Sequence, residues 1–287
     1  MSYDLLLEGP SLDGFRALMK DALCVQASDT ASDSWMFTDE STGVYFSINV
    51  DQVTDEDAIQ AGVPSAPYVD CEVNYLRPSF FMDEALPFIL QYARHAGLTV
   101  RDPQREDQPM SPDEIDQKAV REAWLDVTRK WSRRELETIP FLEPAASSLM
   151  FRHNMSRDVA MNDPAKNPHG LFIPRILPIV RHAEPRKVLN GIVLGSGVGC
   201  FIPQCDVVVL VERKRVLGIE YGPFVKRLVS RESFIACLAP FLDNPAAIAP
   251  RFQPPHLSTG WAALRRLAGE PDSTFDRLSS DGFVDAS

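Results

Sequence analysis

Between Val44 and Val50 apolar and polar residues alternate without a break, with Val44, Phe46, Ile48 and Val50 on one side and Tyr45, Ser47 and Asn49 on the other. A strand points successive side chains to opposite faces, so this pattern admits only a half-buried strand with one core face and one wet face. Tyr68 to Leu76 repeats it, with Val69, Cys71, Val73 and Tyr75 against Asp70, Glu72 and Asn74. If the two strands share a sheet, Asp70 and Glu72 join Tyr45 and Asn49 on its open face. Trp35 to Thr38, followed by Asp39-Glu40-Ser41-Thr42-Gly43, supplies the first arm and the turn of a hairpin.

Around this hairpin the other elements follow in order. Residues 3 to 8 read as a strand, and Ser11 opens a helix with Leu12, Phe15, Leu18, Met19 and Leu23 at helical spacing. Gln26 to Ser34 reads as a polar linker. A helix from about Asp83 to Ala96 stops at Gly97, with Pro87 in its first turns or kinking it, and Leu98 to Asp102 is a short returning strand. Ser111-Pro112-Asp113-Glu114 is a capping box, predicted to open a helix to about Glu137 whose stripe is Ile115, Ala119, Ala123, Trp124, Val127 and Trp131.

Further on, Leu171 to Val180 carries Pro174 and Pro178, which confine it to a sheet edge. Val188 to Leu194, Asp206 to Arg213 and Arg215 to Tyr221 are strands, and Val207 to Val211 is apolar enough to be buried on both faces. Ser230 caps a helix ending at Pro240, a last short helix spans Trp261 to Leu267, and the tail from Gly269 is expected to fray. The predicted class is α+β: an N-terminal antiparallel or mixed sheet with helices on one face, then a second strand-rich α+β half. Residues 1–138 are expected to form the first domain, 139–170 a linker with a possible helix at Ala145 to Asn162, and 171–287 the second domain with its C-terminal helix.

Charge separates the same halves. From Asp21 to Leu76 there is no lysine or arginine, yet there are eleven carboxylates, whereas the other 231 residues hold 29 acids and 29 bases. The whole net charge of -11 therefore arises in one stretch. A field of one sign steers and holds a partner of the other, and it repels nucleic acid and anionic lipid. Aromatic rings beside the carboxylates would anchor such a partner. The candidate contact residues are Trp35, Asp39, Glu40, Tyr45, Asn49, Asp55, Glu56, Asp57, Asp70 and Glu72.

Motifs of catalysis are weak by comparison. Gly195-Ser196-Gly197-Val198-Gly199 follows a strand but precedes Phe201-Ile202-Pro203 and another strand, so no helix N-terminus faces a phosphate and the stretch reads as a tight turn. Asp206, Glu212 and Lys214 have the residue types of a nuclease metal site, yet one extended strand holds Asp206 and Glu212 roughly 20 Å apart at about 3.3 Å per residue. Asp51, Asp55 and Asp57 lack the glycine and distal glutamate of a calcium loop, and the five histidines have no ligand spacing. No Gly-x-Ser-x-Gly elbow or Ser-x-x-Lys is present. No cofactor, metal or catalytic residue is expected. Five scattered cysteines, no basic and apolar leader and no long apolar run fit a cytoplasmic, non-membrane protein.

Cys71-Glu72-Val73-Asn74-Tyr75-Leu76-Arg77-Pro78, Leu171-Phe172-Ile173-Pro174-Arg175 and Phe201-Ile202-Pro203-Gln204-Cys205-Asp206 resemble the TsiT-type immunity proteins that accompany nuclease effectors of type VI secretion. The resemblance is general and transfers no site residue. It implies a cytosolic protein without enzymatic activity whose partner is a basic toxin nuclease. Two other readings stand beside it: an enzyme working in a cleft between the halves, and an adaptor that loads an effector without inhibiting it.

Overall fold

The computed structural model describes residues 2–22, 25–27, 33–51, 67–105, 108–135, 139–216, 219–245, 247, 249–253 and 256–285, with the side chains of 132–135 and 214–223 excepted. The fold is α+β, as predicted, and it forms two compact units: residues 1–139 together with 280–287, and residues 140–279.

In the first unit six strands form one antiparallel sheet: β1 (Ser2–Glu8), β2 (Val25–Ala27), β3 (Ser34–Thr38), β4 (Tyr45–Asp51), β5 (Tyr68–Asn74) and β6 (Thr99–Arg101), in the order β2-β3-β4-β5-β1-β6. Alternation decides which side is core. Tyr3, Leu5 and Leu7 of β1, Phe46 and Ile48 of β4, and Val69, Cys71 and Val73 of β5 are all buried. On that face pack α1 (Asp13–Asp21), through Phe15 and Met19, and α2 (Phe80–Ala96), whose Phe88 ring stands 4.6 Å from Phe37 and 5.7 Å from Phe46. Gly97 ends α2 in the left-handed conformation, its amide bonding back to the last turn. A third helix, α3 (Gln117–Glu135), packs against α2 and buries Val120, Trp124 and Thr128.

Several sequence expectations shift here. Val25–Ala27, assigned to the polar linker, is a short edge strand paired with β3. Helix α2 begins at Phe80, three residues early, and Pro87 lies inside it on the exposed side. Only half of the capping box forms: the Ser111 amide donates to Glu114 Oε2 at 3.1 Å, but Ser111 Oγ accepts from the Asp113 amide rather than from Glu114, and the bonds close a separate turn. The helix itself starts at Gln117, where Asp116 Oδ1 accepts the Ala119 amide.

The second unit holds α4 (Pro144–Asn162), β7 (Leu177–Arg181), β8 (Glu184–Gly195), β9 (Cys200–Phe201), β10 (Val207–Val216), β11 (Ile219–Ser230), α5 (Arg231–Leu238), β12 (Leu242–Asp243), β13 (Arg251–Phe252), α6 (Leu257–Leu264), β14 (Glu270–Pro271) and β15 (Phe275–Arg277). Its main sheet runs β14-β11-β10-β8-β7-β15 and is mixed, because β8 and β10 are parallel; β12, β13 and β9 form a small second sheet. Val207, Val208, Val209 and Leu210 are buried on both faces, as their composition requires. Segment 139–170 is no free linker: from Pro140 it belongs to this unit, and Asn190 Nδ2 of β8 donates to Ala146 O of α4 at 2.8 Å. The expected strand Arg215 to Tyr221 is divided between the end of β10 and the start of β11, which pair as a hairpin.

Strand β7 is not at the edge, because β15 flanks it. Pro178 tolerates this position because N–H and C=O of one residue point to the same side in an antiparallel ladder. Its carbonyl accepts the Leu278 amide just past the end of β15, so the nitrogen without a proton faces the place where the ladder stops.

The tail corrects the sequence reading most. After β15 the chain ends within the first unit, with Phe283 and Val284 fully buried. The Asp285 carboxylate accepts from the Ser79 amide and hydroxyl, both at 2.7 Å, just before α2. Ser280 Oγ donates to Gly43 O at 2.7 Å, and Gly43, at φ +76°, has no room for a Cβ, which would lie 2.2 Å from that hydroxyl. Truncating a buried phenylalanine costs about 3–5 kcal/mol. Phe283→Ala should therefore destabilise the first unit by that amount in denaturant unfolding followed by tryptophan fluorescence, whereas a frayed tail would leave the transition in place.

Candidate functional site

The second face of the first sheet carries the acids. Register decides which of them meet: Asp4 of β1 lies opposite Glu72 of β5, Asn49 of β4 opposite Asp70, Ser47 opposite Glu72, and Asp51 opposite Tyr68. Four carboxylates, Asp4, Asp51, Asp70 and Glu72, thus share one face of three adjacent strands. None forms an ion pair among the described residues. Glu8 lies on the same face but is paired with Arg101 at 2.7 Å.

A hydrogen-bonded ladder holds part of this face in place. Ser34 Oγ donates to Asn49 Oδ1 at 2.6 Å, Asn49 Nδ2 donates to Glu72 Oε1 at 3.3 Å, and Ser47 Oγ donates to Glu72 Oε2 at 3.2 Å. Asn49 therefore positions Glu72. Asp70 has no such support: its Oδ1 and that of Asp4 are buried without a hydrogen-bond partner. Burial first, and then the charges of Asp4, Glu72 and Asp51, push the Asp70 carboxyl up to about 7. Beyond burial, every charge acting on it is negative, and no lysine or arginine lowers it.

The predicted contact residues divide. Asp70, Glu72 and Asn49 lie together on this face. Trp35 does not: it is only 6% exposed and packs edge-on against Phe15, because its partner across the hairpin is Ile48, a core residue. Its aromatic bulk serves the core. Tyr45 is half-buried, and its hydroxyl accepts from Arg77 Nη2 at 2.8 Å and donates to Asp281 at 3.1 Å.

Asp39 organises its own turn, accepting from the Ser41 amide at 2.6 Å and the Ser41 hydroxyl at 2.5 Å. Burial alone would raise its carboxyl, but hydrogen bonds from Ser41, Glu84 and Thr42 hold it below the usual range. Its neighbour Glu84, in α2, is pushed up to about 8 by burial and by the Asp39 charge, against a hydrogen bond from Thr42. Burial beside Asp39 thus favours the protonated form of Glu84, and both carboxyls belong to the turn. Glu40 is exposed beside it, and Asp55, Glu56 and Asp57 lie outside the described residues.

Sequence reasoning missed Asp4, which lies well before the acidic stretch and joins it only through β1–β5 pairing. Its signal in the sequence was partial, because Tyr3, Leu5 and Leu7 alternate with Asp4 and Glu8 but buried Leu6 interrupts the pattern. Asp206 and Glu212, weighed as metal ligands, serve separate structural roles: Asp206 accepts the Asn190 amide at 2.8 Å, and Glu212 pairs with Arg227 and Arg265. Among the described residues no group of three or more acids, histidines or cysteines is placed to hold a metal, and no helix is long and apolar enough to cross a membrane. Comparison with protein-family models, curated proteins and solved structures finds no match for the chain.

A carboxyl raised in the folded state keeps its proton where the unfolded chain has lost it. Stability then falls as pH rises from the ordinary aspartate value of 3.8 to about 7. Asp70→Asn should flatten the fall in melting temperature between pH 4 and about 7 and raise stability by a few degrees at pH 8. Glu84, raised in the same sense, contributes a further fall that extends to about 8. An unchanged pH profile in the variant would show that Asp70 titrates normally.

Proposed function

We propose that the protein binds a basic protein partner through the open face of its first sheet and, on the resemblance of its sequence to immunity proteins, that this partner is a toxin nuclease which it neutralises. One observation carries the reading. Asp4, Asp51, Asp70 and Glu72 are gathered on three neighbouring strands with no ion pair among the described residues, and burial together with the charges of the other three raises the Asp70 carboxyl. Like charges placed opposite one another in a sheet destabilise it, so a lysine- or arginine-rich surface that covers them relieves a strain already present.

The chemistry suits a nuclease. Its substrate groove must be positive to attract phosphate, and a rigid row of carboxylates competes for the same charges. The sequence between β4 and β5, residues 52–66, contains Asp55, Glu56 and Asp57 and no base. Electrostatic steering accelerates encounter and weakens with salt.

The test is binding to the toxin domain encoded beside the gene, with co-expression as the biological readout. The triple variant Asp4→Asn, Asp70→Asn, Glu72→Gln should slow association about tenfold or more, flatten its salt dependence and fail to rescue growth of cells making the toxin. Unchanged binding by the triple variant would remove this face from the interaction. Tight binding without growth rescue would favour an adaptor.

A further inference from the structure

We propose that the second unit holds a binding site for a small apolar carboxylate, in the groove between α4 and the segment 171–176. The cavity encloses about 320 Å³, within the size of small-molecule sites. Its apolar walls come from Leu149 of α4, from Ile173 and Ile176 of the facing segment, and from Phe201 of β9. At about 30 Å³ for each water-sized group it accommodates a chain of about ten heavy atoms.

The groove is built before any ligand arrives. The segment 171–176 is irregular, so its backbone groups need partners, and α4 supplies them. Asn154 Nδ2 donates to Ile176 O at 2.9 Å while Asn154 Oδ1 accepts the Ile176 amide at 3.0 Å. His153 Nε2 bonds Pro174 O at 2.8 Å, and Arg157 Nε donates to Ile173 O at 2.6 Å. Four contacts from one helix fix the opposite wall, which lowers the ordering cost of binding.

The polar lining is one-sided. Arg157, Lys166 and Gln204 line the cavity and no carboxylate does. Burial pushes the His153 ring toward its neutral form, against the hydrogen bond from Nε2 to Pro174 O, which favours the charged one. Arg157 spends Nε on Ile173 O and Nη1 on Asp158, leaving Nη2 without a partner among the described residues. Gln204 makes no hydrogen bond among them.

Lys166 is 61% exposed on its side chain and only 3.6 Å from Asp163, a loose pair that an anion can join. The donors of Arg157, Lys166 and Gln204, the first two being cations already paired with Asp158 and Asp163, match the two oxygens and single charge of a carboxylate. A phosphate dianion would demand a free guanidinium fork and more positive charge. The site lies outside the acidic face and does not depend on the function proposed for it.

Octanoate is the probe, titrated calorimetrically into the full chain, with 1-octanol, octylamine and octyl phosphate as controls. Octanoate should bind and raise the melting temperature, and the three controls should bind at least about tenfold more weakly, the loss of a charge-assisted contact. Lys166→Gln should weaken octanoate about tenfold, and Ala160→Trp, which fills the groove, should abolish binding while the circular dichroism spectrum is unchanged. Arg157→Gln should weaken it further, and Lys166→Gln carries the test if that variant unfolds. Failure of octanoate to bind, binding that survives Ala160→Trp in a folded protein, or equal affinity for octanol or octyl phosphate would overturn the proposal.

Discussion

Strand β1 lies inside the first sheet, with β5 on one side and β6 on the other, and the rest of the first unit depends on that insertion. Its register with β5 places Leu5 opposite Cys71 and Leu7 opposite Val69, all of them buried. A slip of one residue would turn Tyr3, Leu5 and Leu7 to the wet face and the carboxylates of Asp4 and Glu8 into the core, so burial of one face enforces the register. The same register sets Asp4 directly opposite Glu72. The core and the acidic face are two sides of one set of hydrogen bonds.

That coupling explains how the sheet carries an arrangement that would not form on its own. Four carboxylates with no ion pair among the described residues share neighbouring strands, and burial first, then their repulsion, pushes the Asp70 carboxyl up. The repulsion is borne because the opposite face packs Phe37, Phe46 and Phe88 into continuous aromatic contact and sets Trp35 edge-on against Phe15. Burial of such large rings outweighs the repulsion among the carboxylates. Glu72 is further fixed by Asn49 and Ser47, so this part of the acidic face is held in place by the protein's own hydrogen bonds.

In the second unit the organising element is α4. Its apolar residues are spread around the helix, with Met150 buried, Leu149 lining the groove, and Met155 and Val159 exposed. Such a helix is not placed by amphipathicity. Polar side chains place it: Asn190 holds its first turns to β8, and Asn154, His153 and Arg157 hold the irregular segment before β7.

Local patterns along the chain were enough for the class, the strands with clean alternation and the sign of the first unit's surface. Strand periodicity and net charge belong to single segments, so β1, β4 and β5, the double burial of Val207 to Leu210 and the one-sided charge were all legible. The remainder depended on how the chain closes on itself. Closure chose which arm of the hairpin faced inward, taking Trp35 into the core, because pairing with Ile48 is a matter of register. It joined Asp4 to Asp70 and Glu72 across more than sixty residues of chain, and it brought Phe283 and Asp285 back to the start of α2. Asp39 and Glu84 influence each other's titration only because a turn and a helix meet. These are contacts between residues distant in sequence, and no pattern within a single segment encodes them.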